Sequence, residues 1–254
     1  MRKSILLSAV FLTGATFLLA DDDDKKGPPP NPCAGLPTAA QLTTFLNQVA
    51  PISTESAANS GPIGGLFNGT RMWAAVVNRN GQVCAAAASR TDPTQVWPGS
   101  QAIAKAKAYT ANAFSLDTLA LSTARLYTFT QPGHSLWSLG QSNLFESRFL
   151  TAPGDPTTGD GKIQGGLIFF GGGVPLYQNG KIIGGLGISG DTSCADHEVA
   201  KGVRHFATLD PSGGEFIDDI VYTNVTASVF GHPLCPNTFL NGNKIGDEAP
   251  AKYN

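Results

Sequence analysis

Apolar residues at Leu42, Phe45, Leu46 and Val49 recur at helical spacing, and Thr38 stands where an N-cap would. After a loop at 60–65 (SGPIGG), the pattern turns to strands. Arg71–Val77 is apolar and β-branched, Asn78-Arg79-Asn80-Gly81 is a hairpin turn signal, and Gln82–Ala88 returns. A loop from Thr91 ends in Trp97-Pro98-Gly99-Ser100, and Ser100 is expected to cap an alanine-rich helix running to Phe114. Ser115 or Asp117 is expected to cap a further helix through Phe129. Gln131–Gly161 shows no periodicity and carries Trp137, Phe145 and Phe149. An irregular stretch of that length inside a compact domain is usually a binding surface.

Strand pattern resumes at Gly165–Phe170, then at Val174–Tyr177, with Gly171-Gly172-Gly173 as the turn between them. Asn179-Gly180 is a second hairpin signal, and Lys181–Ile188 follows it. Cys194–Leu209 reads as a helix and Phe216–Tyr222 as a last short strand. Hairpins stand where parallel crossovers would be needed, so the predicted fold is α+β: a mainly antiparallel sheet of about five strands flanked by helices.

The ends carry different signals. Arg2 and Lys3, an apolar run from Ile5 to Leu19, and Ala20 match a signal peptide over residues 1–20, which implies a secreted or periplasmic protein without a stable membrane span after cleavage. The alternative is an uncleaved anchor, for which the run is short. Residues 21–35 read as an acidic, proline-rich disordered spacer, the folded domain as 36–240, and residues 241–254 as a flexible tail. Asp21–Lys25 also spells the enterokinase recognition sequence, so the spacer is either an insert or natural.

A formal net charge of −2, with charged residues at 14% and no basic block, argues against nucleic acid as a partner. Four cysteines in an exported chain point to two disulfides. Cys33–Cys84 with Cys194–Cys235 is the favoured pairing of three, and the other two stay open.

Two motifs carry competing chemistry. Gly185-Leu-Gly187-Ile-Ser-Gly190 matches the dinucleotide fingerprint between a strand and a helix. Its first glycines lie inside the strand, however, and the preceding elements are hairpins. The reading taken is that these glycines let a helix lie against the sheet. Cys194 and His197, three apart at a helix start, suit a nucleophile and base or half a metal site, unless Cys194 is oxidised. His197 and His205 are expected at the surface and His232 in a turn. No H-E-x-x-H, G-x-S-x-G or P-loop occurs, so no catalytic residue and no metal ligand is assigned.

Three segments in order, Trp97-Pro98-Gly99-Ser100 with the helix after it, Gly172–Tyr177 and Ile183–Asp191, resemble the haem-binding GlcG/HbpS family from about Leu36 to Cys235. Ser193–His197 and Gly231–Cys235 look like an exported, cysteine-bearing branch of it. The resemblance implies an antiparallel sheet flanked by helices, homo-oligomers, and haem or a related tetrapyrrole as ligand, used in capture, sensing or iron handling. The 131–161 insertion and the acidic spacer depart from a minimal family domain.

A haem site needs an apolar slot, a rim for the propionates and axial ligands. By residue type, Tyr109, Phe114, Trp137 and Phe145 are expected to supply the slot, Arg125 or Lys105 to meet carboxylates, and His134 to ligate iron. The alternatives are an enzyme working through Cys194 and His197 or through bound haem iron, and an interaction module without ligand.

Overall fold

The structure is a computed structural model that describes residues 31–49, 62–149, 161–223 and 228–246. The expected signal peptide, most of the expected spacer and parts of the 60–65 and 131–161 segments lie outside the described residues.

Four strands form one antiparallel sheet in the order β2-β1-β4-β3: β1 (Trp73–Asn78), β2 (Val83–Ala88), β3 (Gly173–Gln178) and β4 (Lys181–Ser189). Both sheet faces are covered, which is why the strands read as apolar runs. On one face lie α1 (Ala39–Val49) and α4 (Ser193–Phe206), packing Leu42, Leu46, Val199 and Val203 against Ala74, Val76, Leu186 and Ile188. On the other lies α2 (Ser100–Phe114), with Trp73, Ala75 and Ala104 in contact there, while α3 (Leu139–Ser142) is a single turn in the following irregular segment. The period of two along β1 sends Ala74 and Val76 one way and Trp73, Ala75 and Val77 the other.

Glycine decides how closely α2 approaches. Gly185 and Gly187 pair with Val77 and Ala75 on the α2 face. A Cβ on Gly187 would run into the Ala104 carbonyl, and one on Gly185 into that of Ala108. Two of the three fingerprint glycines are therefore roofed by a helix and Gly190 is closed off by the Arg71 carbonyl, so no space is left over them for a pyrophosphate.

Local signals account for the element ends. Thr38 and Gln41 form a reciprocal capping box, with Thr38 N donating to Gln41 Oε1 at 2.9 Å and Gln41 N to Thr38 Oγ1 at 3.3 Å. Thr192 caps α4, accepting from Ala195 N at 3.2 Å. Ser100 is inside α2 and the cap position belongs to Gly99, without a side-chain bond.

Three expected elements change. The helix expected up to Phe129 is two short 3-10 turns, Thr123–Leu126 and Thr128–Thr130. Here hydroxyls are drawn to distant carbonyls, Ser122 Oγ to Asp218 O and Thr123 Oγ1 to Phe170 O, both at 2.6 Å. Gly165–Phe170 does not join the sheet, because its amides go elsewhere: Ile168 N donates to Thr110 Oγ1 at 3.0 Å and Leu167 N to Asn143 O at 3.2 Å. Of Phe216–Tyr222 only β5 (Val221–Tyr222) is a strand, parallel to β6 (Gly231–His232).

A final hairpin, β7 (Phe239–Leu240) with β8 (Asn243–Lys244), crosses the boundary expected at residue 240. Its turn residue Asn241 is held by Lys201 Nζ at 2.7 Å and by Glu198 Oε2 at 2.9 Å, so the packed unit runs past that boundary. Cys33, placed in the spacer by its sequence, is likewise tied to β2 through Cys84. Among the described residues no helix is long and apolar enough to cross a membrane.

Candidate functional site

The corner at the start of α4 is built of charge and imidazole out of water. Cys194 and Cys235 are bonded, Cys33 and Cys84 are bonded, and no cysteine is free. A thiolate nucleophile at Cys194 is thereby removed. His197, expected at the surface, is fully buried: Nδ1 accepts from Gly172 N at 3.4 Å and Nε2 faces Asp219 Oδ1 at 3.4 Å. His232 is also buried, with Nδ1 at 2.7 Å from the Pro233 carbonyl and Nε2 accepting from Gly171 N at 3.3 Å. Nδ1 thus carries the proton, and burial pushes this imidazole down to about 4.

Lys107 reaches from α2 past the end of β4 to α4. Its Nζ meets Asp196 Oδ2 at 2.7 Å and the Ile188 carbonyl at 2.9 Å, with both side chains buried. Burial pushes Asp196 up to about 6 and pushes Lys107 down, while their mutual attraction opposes both shifts. Burial alone would raise Asp219 too, but His197 and Lys201 hold it well below the usual carboxylate range. This network braces the Gly171–Gly173 turn. Cβ atoms there would strike the Ser193 carbonyl at Gly171 and Thr123 at Gly173.

In front of the turn is a cavity of about 430 Å³ between the 127–144 segment and Leu167–Phe170. Trp137, Leu144, Leu167, Phe169 and Phe170 make an apolar slot, while Thr130, Gln131, Ser138 and Gln141 supply hydroxyls and amides. Tyr127 completes the wall, and its ring lies 5.0 Å from that of His232. Lys107 Nζ stands 4.9 Å from the Phe170 ring, so the buried ion pair backs one wall. This volume is in the range of small-ligand pockets. Ser138 adopts a left-handed backbone, φ 66°, at the cavity edge.

The residues expected to bind haem are only partly brought together. Trp137 lines the cavity, half exposed at 51%. Phe114 stands behind the wall, edge-on to Phe169 at 6.0 Å. His134 is exposed three residues before Trp137 and is not part of the lining. Tyr109 packs over the Gly81 turn. Arg125 is committed elsewhere, its Nε donating to Asp219 O at 2.9 Å and its guanidinium lying over Phe230. Lys105 is fully buried in α2, and Phe145 pairs with Gly165 outside the lining.

Sequence reasoning missed Tyr127, Gln131 and Leu167–Phe170. Gln131 carried only the signal of the aperiodic stretch it opens, and the others only Phe169-Phe170 before three glycines, which reads equally well as a strand. Haem fits this cavity in part. The slot suits a macrocycle, the amides and hydroxyls suit propionates, and Tyr127 has a phenol of the kind that ligates ferric iron. Among the described lining residues none is charged.

Fold and cavity together define an α+β domain with an aromatic-walled cavity beside a buried ionic brace. The chain belongs to the family described as haem degrading protein HbpS-like, whose model matches residues 65–204. Comparison with curated proteins gives no match. Similar solved structures include the PduOC:haem complex, at 23% identity over 67% of this chain and 92% of that one, TM-score 0.46. Klebsiella pneumoniae protein ORFY is 22% identical over 67% and 87% of the two chains, TM-score 0.45. HbpS is 19% identical over 65% and 86%, TM-score 0.40.

Proposed function

We propose that this protein binds haem in the cavity between the 127–144 segment and Leu167–Phe170, as an exported protein of haem capture, sensing or iron handling that assembles into homo-oligomers. The observation that carries the reading is the slot itself, in a chain of the HbpS-like family. Trp137, Leu144, Phe169 and Phe170 would cover the macrocycle, and Gln131 and Gln141 would meet the propionates. Tyr127 is the lining residue able to hold ferric iron, and His134 is the nearby loop alternative. The amino-terminal pattern and the two disulfides support export.

Titration of the purified chain with hemin tests the reading. A saturable Soret band is expected, weakened by Trp137→Ala. Its position should shift in Tyr127→Phe if the phenol ligates, or in His134→Ala if the imidazole does. A flat titration would overturn the proposal and favour an interaction module without ligand. The family description supports a second reading, breakdown of the bound haem. It requires loss of the Soret band with release of iron when reductant and dioxygen are supplied to the loaded protein.

A further inference from the structure

The last turn of α4 and the loop after it bring three potential metal ligands together. His205 Nδ1 lies 2.8 Å from Asp210 Oδ2 and 3.0 Å from Glu215 Oε2, and the donor atoms of all three lie within 4.8 Å of one another. None of the three lies in the region that matches the family model, which ends at residue 204.

Buried Arg204 sets their arrangement. Its Nη1 and Nη2 are fixed on the Asp218 carboxylate at 2.9 and 2.8 Å. The same guanidinium donates through Nε to Asp210 Oδ1 at 3.2 Å and through Nη2 to the Glu215 carbonyl at 2.7 Å. One oxygen of Asp210 is thus occupied from behind, and the other is turned to His205. The loop is pinned as well, since Leu209 accepts from Tyr177 N on β3 at 2.9 Å. Carboxylates oriented by outer-shell hydrogen bonds are a usual feature of metal centres. The open side, where His205 is 47% exposed, leaves room for water ligands.

We propose that His205, Asp210 and Glu215 form a site for a divalent first-row transition cation. One imidazole and two carboxylates suit Zn²⁺, Mn²⁺ or Fe²⁺ rather than Mg²⁺ or Ca²⁺, which favour all-oxygen shells. Ligands about 2.0–2.2 Å from a tetrahedral cation stand about 3.3–3.6 Å apart. The present separations of 2.8 and 3.0 Å therefore open by several tenths of an ångström, within reach of an exposed imidazole. Binding exchanges the proton shared at Nδ1 for the cation and releases it to solvent. The site does not depend on the haem reading.

The test is Zn²⁺ titration of the full, untagged, haem-free chain by calorimetry, with His205→Ala, Glu215→Gln and His134→Ala variants. One Zn²⁺ per chain is expected. The first two variants should weaken binding about tenfold or more, His134→Ala should leave it unchanged, and excess Mg²⁺ should not compete. The lost affinity must come with an unchanged melting transition in at least Glu215→Gln, which separates ligation from folding. Absence of stoichiometric binding, wild-type affinity in both triad variants, or loss only in His134→Ala would overturn the proposal.

Discussion

Replacing Lys107 with Met leaves a side chain of similar length without the charge, and so isolates the worth of the buried pair. In the native protein Nζ makes two short bonds, to Asp196 and to the Ile188 carbonyl, and both side chains are buried. Lys107→Met strands the Asp196 carboxylate, which keeps one bond from Asp191 N at 2.9 Å. Breaking one side of a buried pair costs about 3–5 kcal/mol. For a domain of this size each kcal/mol lowers Tm by about 2–4 °C, so a fall of roughly 6–20 °C at neutral pH is expected. The double variant Lys107→Met/Asp196→Leu removes both charges and should recover most of that loss. Urea unfolding followed by circular dichroism, with calorimetry for Tm, gives both values. A single variant within about 1 kcal/mol of wild type, or a double variant as damaged as the single, would refute the view that desolvation governs this pair.

Gly187→Ala places a methyl group against the Ala104 carbonyl. It should destabilise by about 1–3 kcal/mol or more through overpacking, and equilibrium unfolding at wild-type stability would show that α2 lifts freely. His232 adds a pH effect: its imidazole is held at about 4 against 6.5 in the open chain, so the unfolded state takes up the proton first and stability is lost as pH falls from 6.5 to 4. That loss is roughly 3 kcal/mol. Asp196, raised from 3.8 to about 6, acts oppositely, gaining stability as pH falls between those values. His232→Asn should therefore improve against wild type by roughly 3 kcal/mol between pH 7 and pH 4, and a pH-independent difference in unfolding free energy would rule this out.

Much of the scaffold is set by short-range pattern. The Asn-Gly turns define the two hairpins of the main sheet, the helical spacing from Leu42 to Val49 defines α1, and the alanine run defines α2. Even the strand glycines could be read as a packing surface, since a strand that gives up side chains on one face must admit another backbone there. The site was far less legible. Trp137 was identified because it sits on an aperiodic stretch, whereas Tyr127 was hidden in an apparent helix and Phe169 and Phe170 in an apparent strand.

Local propensity and periodicity thus determine the two hairpins of the main sheet and the three main helices, because turns, caps and amphipathic spacing involve residues a few positions apart. Only the tertiary structure decides that Lys107, His197 and His232 lie out of water, that Arg125 faces Asp219, and that two irregular segments close a cavity. Those outcomes depend on which backbone carbonyls and carboxylates arrive from distant parts of the chain. Desolvation then assigns each charge its partner, a quantity no neighbouring residue encodes.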